Sequence, residues 1–197
     1  MFASSHYNYG ENSEAQIVEL PYKGNDLSMY IVLPESTDID SFESSFTLNE
    51  YSKLKKHMDS NYEVDLWLPK FKFESRTQLS DTFFNMGITN AFSNADFSGI
   101  TEETDLNISK VIHQAYIDVQ EEGTEAAAAT AIAMDGGLGS EEPIKRFRAD
   151  HPFMFFIEDK RTGCILFMGK LLCQIIRAFC KAIIALSNYK KLFKYLS

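Results

Sequence analysis

Four β-prone runs come in two pairs, each pair joined by a short polar turn, and nothing else in the chain restricts its fold as much. Ala15 to Tyr22 (AQIVELPY) and Leu27 to Leu33 (LSMYIVL) flank Gly24-Asn25-Asp26, and Pro34 closes the second run. His151 to Glu158 (HPFMFFIE) and Cys164 to Leu172 (CILFMGKLL) flank the charged turn Asp159-Lys160-Arg161-Thr162-Gly163. Apolar runs on either side of a tight turn predict antiparallel hairpins, and the second pair is apolar enough to predict a well-buried one. Both hairpins need a large apolar partner surface, which 16 Phe, 9 Tyr and 45% hydrophobic residues can supply.

Helices are predicted beside these strands. Ser36 to Asp59 is polar with Phe42, Phe46, Leu48, Leu54 and Met58 at broadly helical intervals, which reads as two short helices. Asp38 or Asp40 is placed to cap the first and Thr47 the second. Tyr62 to Phe73 alternates, with Val64, Leu66 and Leu68 on one face. Phe71 and Phe73 continue one residue out of phase, so a bulge is expected at Pro69 on one long strand. A helix is expected from Thr77 or Ser80 to Gly87, then a loop to about Asp105. In Lys110 to Gln120 the residues Val111, His113, Ala115, Ile117 and Val119 form the more apolar face of a strand. Helices do not interleave regularly with the strands, so the expected class is α+β, not a doubly wound parallel sheet.

Several functions are disfavoured. With 19 Lys and Arg against 28 Asp and Glu, the net charge of −9 argues against nucleic acid as a partner. His6, His57, His113 and His151 show no metal-ligand spacing, and His113 reads as a core histidine. Cys164, Cys173 and Cys180 lie in apolar context and read as small core residues. No Gly-x-Ser-x-Gly elbow or phosphate cradle is present, so no catalytic residue, metal site or cofactor is expected. The first residues (MFASSH) carry no signal-peptide pattern. Asn107-Ile108-Ser109 is a glycosylation sequon placed at the start of a predicted strand, meaningful only in a secreted protein.

The alternating strand ends at a stretch of about twenty residues with no packing pattern, Glu121 to Pro143 (EEGTEAAAATAIAMDGGLGSEEP); such long stretches inside compact domains are usually functional or disordered. Its alanines suit a helix capped by Thr124. They equally suit a strand, with Thr124, Ala126, Ala128 and Thr130 on one side and Glu125, Ala127, Ala129 and Ala131 on the other. Side chains this small slide between existing strands without overpacking, and Gly123 tolerates the rotation of a hinge.

Three blocks in order resemble the serpin family. Gln16 to Pro34 is similar to its central hairpin, and Glu121 to Ala131 to the hinge of its reactive loop. Phe147 to Ile157 (FRADHPFMFFI), continued by Gly163 to Leu171, is similar to its C-terminal signature. The resemblance implies serpin-like mixed sheets with flanking helices and a suicide-substrate inhibitor of serine, or cysteine, proteases. Its loop, about residues 121–143, is cut and inserts as a strand, a recognised case of strand addition driven by stored strain. Glu121, Glu122, Gly123, Thr124, Glu125, Ala126, Ala127, Ala128, Ala129 and Thr130 match the hinge of inhibitory members, where non-inhibitory ones tend to carry bulky, charged or proline residues. Family spacing counted from the hinge points to Gly137-Leu138, and counted back from Pro152 to Glu141. Leu138, the one large apolar side chain in that window, is the favoured scissile-bond residue, with Gly137 and Glu141 as alternatives. A chymotrypsin- or elastase-like target follows, and Lys145 and Arg146 lie where the family has returned to a strand. The family prior for location is extracellular, with cytoplasmic as the alternative because this chain shows no signal-peptide pattern.

Two departures from the family are expected to matter. A complete member is roughly twice this length, so residues 1–173 read as the C-terminal portion of the domain, incomplete on the N-terminal side. On that reading the alternative to an inhibitor is a non-inhibitory or truncated binding module. Residues 174–197 carry five basic and no acidic side chains, leaving the preceding residues with 14 basic and 28 acidic, a net −14. This tail, with Ile175, Ile176, Phe179, Ile183 and Leu186, reads either as a basic amphipathic helix for a membrane surface or as read-through sequence.

Overall fold

The computed structural model describes residues 1–100, 106–121 and 144–172. Gly123 and the other hinge residues after Glu121, the candidates Gly137, Leu138 and Glu141, Cys173, Cys180 and the tail lie outside the described residues. The described residues divide into two compact units, one built from Met1–Phe73 with residues 118–121 and 144–172, the other from residues 74–100 and 106–117.

A five-stranded sheet organises the first unit. Both predicted hairpins are present and lie side by side in it. Strands β3 (Ala15–Pro21) and β4 (Leu27–Pro34) pair antiparallel from Ala15 opposite Pro34 to Pro21 opposite Ser28. Their turn places Gly24 at φ 90° and Asn25 at φ 59°, left-handed conformations that glycine and asparagine tolerate best. Strand β9 (Phe153–Asp159) pairs antiparallel with β4 and with β10 (Cys164–Leu171). A short β2 (Tyr9–Glu11) completes the order β10-β9-β4-β3-β2.

Both faces of that sheet are covered, which explains its near-continuous apolar runs. On one side stand α1 (Ile39–Ser45) and α2 (Leu48–Lys56). Asp38 caps the first by accepting the Ser41 N–H at 3.1 Å, and Thr47 caps the second by accepting the Glu50 N–H at 3.2 Å. Phe42, Tyr51 and Leu54 pack there on Tyr30, Val32 and Phe156. On the other side the rings of Phe71 and Phe73 lie 5.8 and 6.1 Å from Phe155. Two buried carboxylates tie strands to their neighbours. Glu158 accepts from Tyr51 at 3.0 Å and Lys55 at 2.5 Å, and Glu19 accepts from Ser28 at 2.6 Å and Lys160 at 2.8 Å.

A second, three-stranded sheet of the same unit has the order β1-β5-β8, with β1 (Phe2–His6) antiparallel and β8 (Lys145–Arg148) parallel to β5 (Glu63–Trp67). Here one expectation is corrected. Tyr62 to Phe73 is not one bulged strand: β5 ends at Trp67, and β6 (Phe71–Gln78) belongs to a different sheet, with β7 (Ile112–Val119). Pro69 has no N–H for a ladder, so neither sheet can continue through it. Cys164 is also corrected, being exposed rather than buried, and β10 leaves Leu166 and Phe167 nearly half exposed.

The second unit contains Glu74–Gln78 of β6, Ile112–Ile117 of β7 and two short helices, α3 (Ser80–Asn85) and α4 (Asn90–Ser93). Of the two expected starts the structure takes Ser80, because Thr77 is held in β6; Gly87, at φ 93°, ends the turn. Helix α4 lies where a plain loop is expected. The predicted face of β7 turns inward, with Ala115 and Ile117 buried and His113 half-buried, while Tyr116 is exposed.

Candidate functional site

Two strand ends frame residues 122–143. On the departing side β7 delivers Asp118, Gln120 and Glu121, and each carries a side-chain contact. Lys72 lies 3.6 Å from Asp118, Gln120 donates to the same carboxylate at 2.7 Å, and Lys70 holds Glu121 at 2.6 Å. Glu121, the first of the expected hinge residues, is thus one end of an ion pair. The Lys70 ammonium donates a hydrogen bond to its carboxyl and holds it below the usual carboxylate range. Both side chains are more than half exposed, so salt weakens this attachment.

The returning side is built differently. Ile144 is exposed, and Lys145 opens β8. Its ammonium meets Glu11 of β2 at 2.7 Å and stands 5.1 Å from the Tyr62 ring centre. Glu11 also accepts the Tyr9 hydroxyl, and Tyr9 is 1% exposed. Hydrogen bonds from Lys145 and Tyr9 hold Glu11 below its ordinary pKa; the bond to Glu11 raises that of Lys145, and burial raises that of Tyr9. Phe147 is fully buried, the Ala149 N–H donates to the Trp67 carbonyl at 2.9 Å, and His151 Nε2 meets the Pro34 carbonyl at 2.5 Å. These contacts fix the chain where it re-enters the sheets.

The structure therefore places Glu121, the one expected hinge residue it describes, two residues beyond the end of β7. Asn107 is exposed and precedes β7 by several residues, not at the strand start as expected; its Oδ1 accepts the Ala95 N–H at 3.4 Å. Lys70 and Glu11 carry no sequence signal for the site, because their partners Glu121 and Lys145 lie 51 and 134 positions away, and Tyr9 joins it only through Glu11. Among the described residues no group of three His, Cys, Asp or Glu side chains is arranged to hold a metal, and no helix is long and apolar enough to cross a membrane.

Comparison with known proteins matches residues 1–174 to the family model described as serpin (serine protease inhibitor). An uncharacterized serpin-like protein of Methanosarcina mazei is 59% identical over 173 residues, covering 87% of this chain and 40% of that protein. Human plasminogen activator inhibitor 2 is 44% identical over 170 residues, covering 82% and 40% respectively. Among solved structures, uncleaved ovalbumin superposes with a TM-score of 0.67 at 28% identity, covering 86% of this chain and 43% of that one. The chain spans about two fifths of the length of the curated relatives it matches.

Proposed function

The chain belongs to the serpin family, and on that premise we propose that residues 1–173 are the loop-bearing portion of a suicide-substrate protease inhibitor. The observation that carries this reading is the run from Gly123 to Thr130, small at every position but Glu125, which begins four residues after β7 ends at Val119. The favoured cut lies between Leu138 and Gly139, with Gly137 and Glu141 as alternatives. The protease nucleophile attacks the Leu138 carbonyl and the 138–139 peptide bond breaks. Gly139 leaves as an amine with a proton, and Leu138 is held as an acyl-enzyme. Residues Glu122 to Thr130 then add as a strand to the main sheet, carrying the acylated protease with them.

Leu138 favours a chymotrypsin- or elastase-like partner, and action outside the cell completes the reading. Residues 174–197 are taken as a separate tail, since the family match stops at 174. Incubating a version of the relatives' full length with chymotrypsin, elastase and trypsin tests the proposal. The expected result is an SDS-stable complex with one of the first two; cleavage of the loop with no stable complex would sink it.

A further inference from the structure

We infer that Glu11 determines which proteases can use the loop, by holding Lys145 so that the Lys145-Arg146 pair stays inside β8. This rests on the inhibitor reading above. Residues 122–143 contain no Lys or Arg, so a trypsin-like protease finds no bond to cut there. The first basic residues beyond are Lys145 and Arg146, and the Arg146 side chain is exposed. Whether they act as a cleavage site depends on whether β8 stays in place.

The strand is weakly held by its backbone. Among the described residues it is an edge strand, with four residue pairs to β5, from Val64 opposite Lys145 to Trp67 opposite Arg148. Edge strands open more readily than central ones. Phe147 anchors the middle of β8, and at its first residue the side-chain ion pair is the Lys145 ammonium on Glu11, 2.7 Å away. The carboxylate is itself fixed by the Tyr9 hydroxyl, which comes from the core. Glu11 lies on β2 of the five-stranded sheet and Lys145 on the three-stranded one, so the pair ties the two sheets together at the point where the loop returns. On the departing side, Lys70 and Glu121 are both more exposed than this pair. Salt therefore screens the departing pair more than the returning one.

The test is limited trypsin digestion of the full chain, with mass spectrometry reading cleavage at Arg146-Phe147 relative to Lys23-Gly24 in the exposed β3–β4 turn. A charge-assisted hydrogen bond lost at the strand start predicts a rise of about tenfold in that ratio for Glu11→Gln. Glu11→Lys raises it as well, and the swap Glu11→Lys with Lys145→Glu returns it toward the unmodified value while leaving the same bond to be cut. Should Glu11→Gln fail to fold by circular dichroism, Tyr9→Phe is read instead, with a smaller rise expected. A ratio unchanged within about twofold, or a rise that the swap does not reverse, overturns the inference. Loss of the SDS-stable complex in the unmodified protein would overturn the inhibitor reading while leaving this ratio intact, so the two failures are distinguishable.

Discussion

Gly169 stands opposite Phe155 in the β9–β10 register, and an alanine there tests the packing of the whole C-terminal hairpin. A Cβ added to Gly169 would lie 2.4 Å from Phe155 Cζ and 2.7 Å from Cε1. The ring has nowhere to go: Phe155 is 1% exposed, with Phe71 and Phe73 against it at 5.8 and 6.1 Å. In an open strand, glycine to alanine stabilises by about 0.5–1 kcal/mol, so the sign of the change is informative. Overpacking costs about 1–3 kcal/mol, so Gly169→Ala is expected to destabilise by about 0.5–2 kcal/mol. Phe155→Ala removes the obstacle at a cost of about 3–5 kcal/mol. In that background Gly169→Ala becomes neutral or stabilising, a coupling of about 1–3 kcal/mol. Urea unfolding of the four proteins, followed by circular dichroism, gives the cycle. A stabilising Gly169→Ala in the unmodified chain, or effects additive within about 0.5 kcal/mol, would refute this packing.

Three further outcomes are expected. Burial alone would raise the pKa of Glu19, but hydrogen bonds from Lys160, Ser28 and Asn8 outweigh it and hold the carboxyl below its ordinary value. Its stabilisation is therefore present above about pH 4.3 and lost as pH falls through the depressed folded pKa; urea midpoints against pH should show a drop that Glu19→Gln lacks. Glu121 is also depressed, so its bond to Lys70 persists above that same pH and weakens below it. Lys70→Gln should speed thermolysin cleavage of the loop at low salt, a difference that closes near 1 M salt. Leu138→Arg should move the protein from elastase-like to trypsin-like proteases with the cut still after residue 138; mass spectrometry placing it elsewhere would remove Leu138 from its role.

The hairpins were legible because apolar alternation and the Gly24-Asn25 turn are local signals, and the caps at Asp38 and Thr47 because each acts within its own helix turn. Pro69 is the opposite case. An alternating run shows which face is apolar but not which strand lies beside it, and β5 and β6 have different neighbours. Strands β1 and β2 have no local signature because FASSH and YGE carry little apolar pattern, and pairing with β5 and β3 defines them. The hinge is ambiguous on physical grounds, since alanine suits a helix by propensity and an inserted strand by size. Lys145 and Glu11 are 134 positions apart, a separation no sequence pattern reports.

Insertion of the loop as a strand is the central claim, and thermal unfolding before and after a single cut in residues 131–142 measures it most directly. A protein of the relatives' full length is cleaved there, the cut is verified by mass, and both forms are melted under identical conditions. Release of stored strain predicts that the cut form unfolds at a clearly higher temperature with both fragments still associated. A cut form that melts at the same or a lower temperature would contradict it.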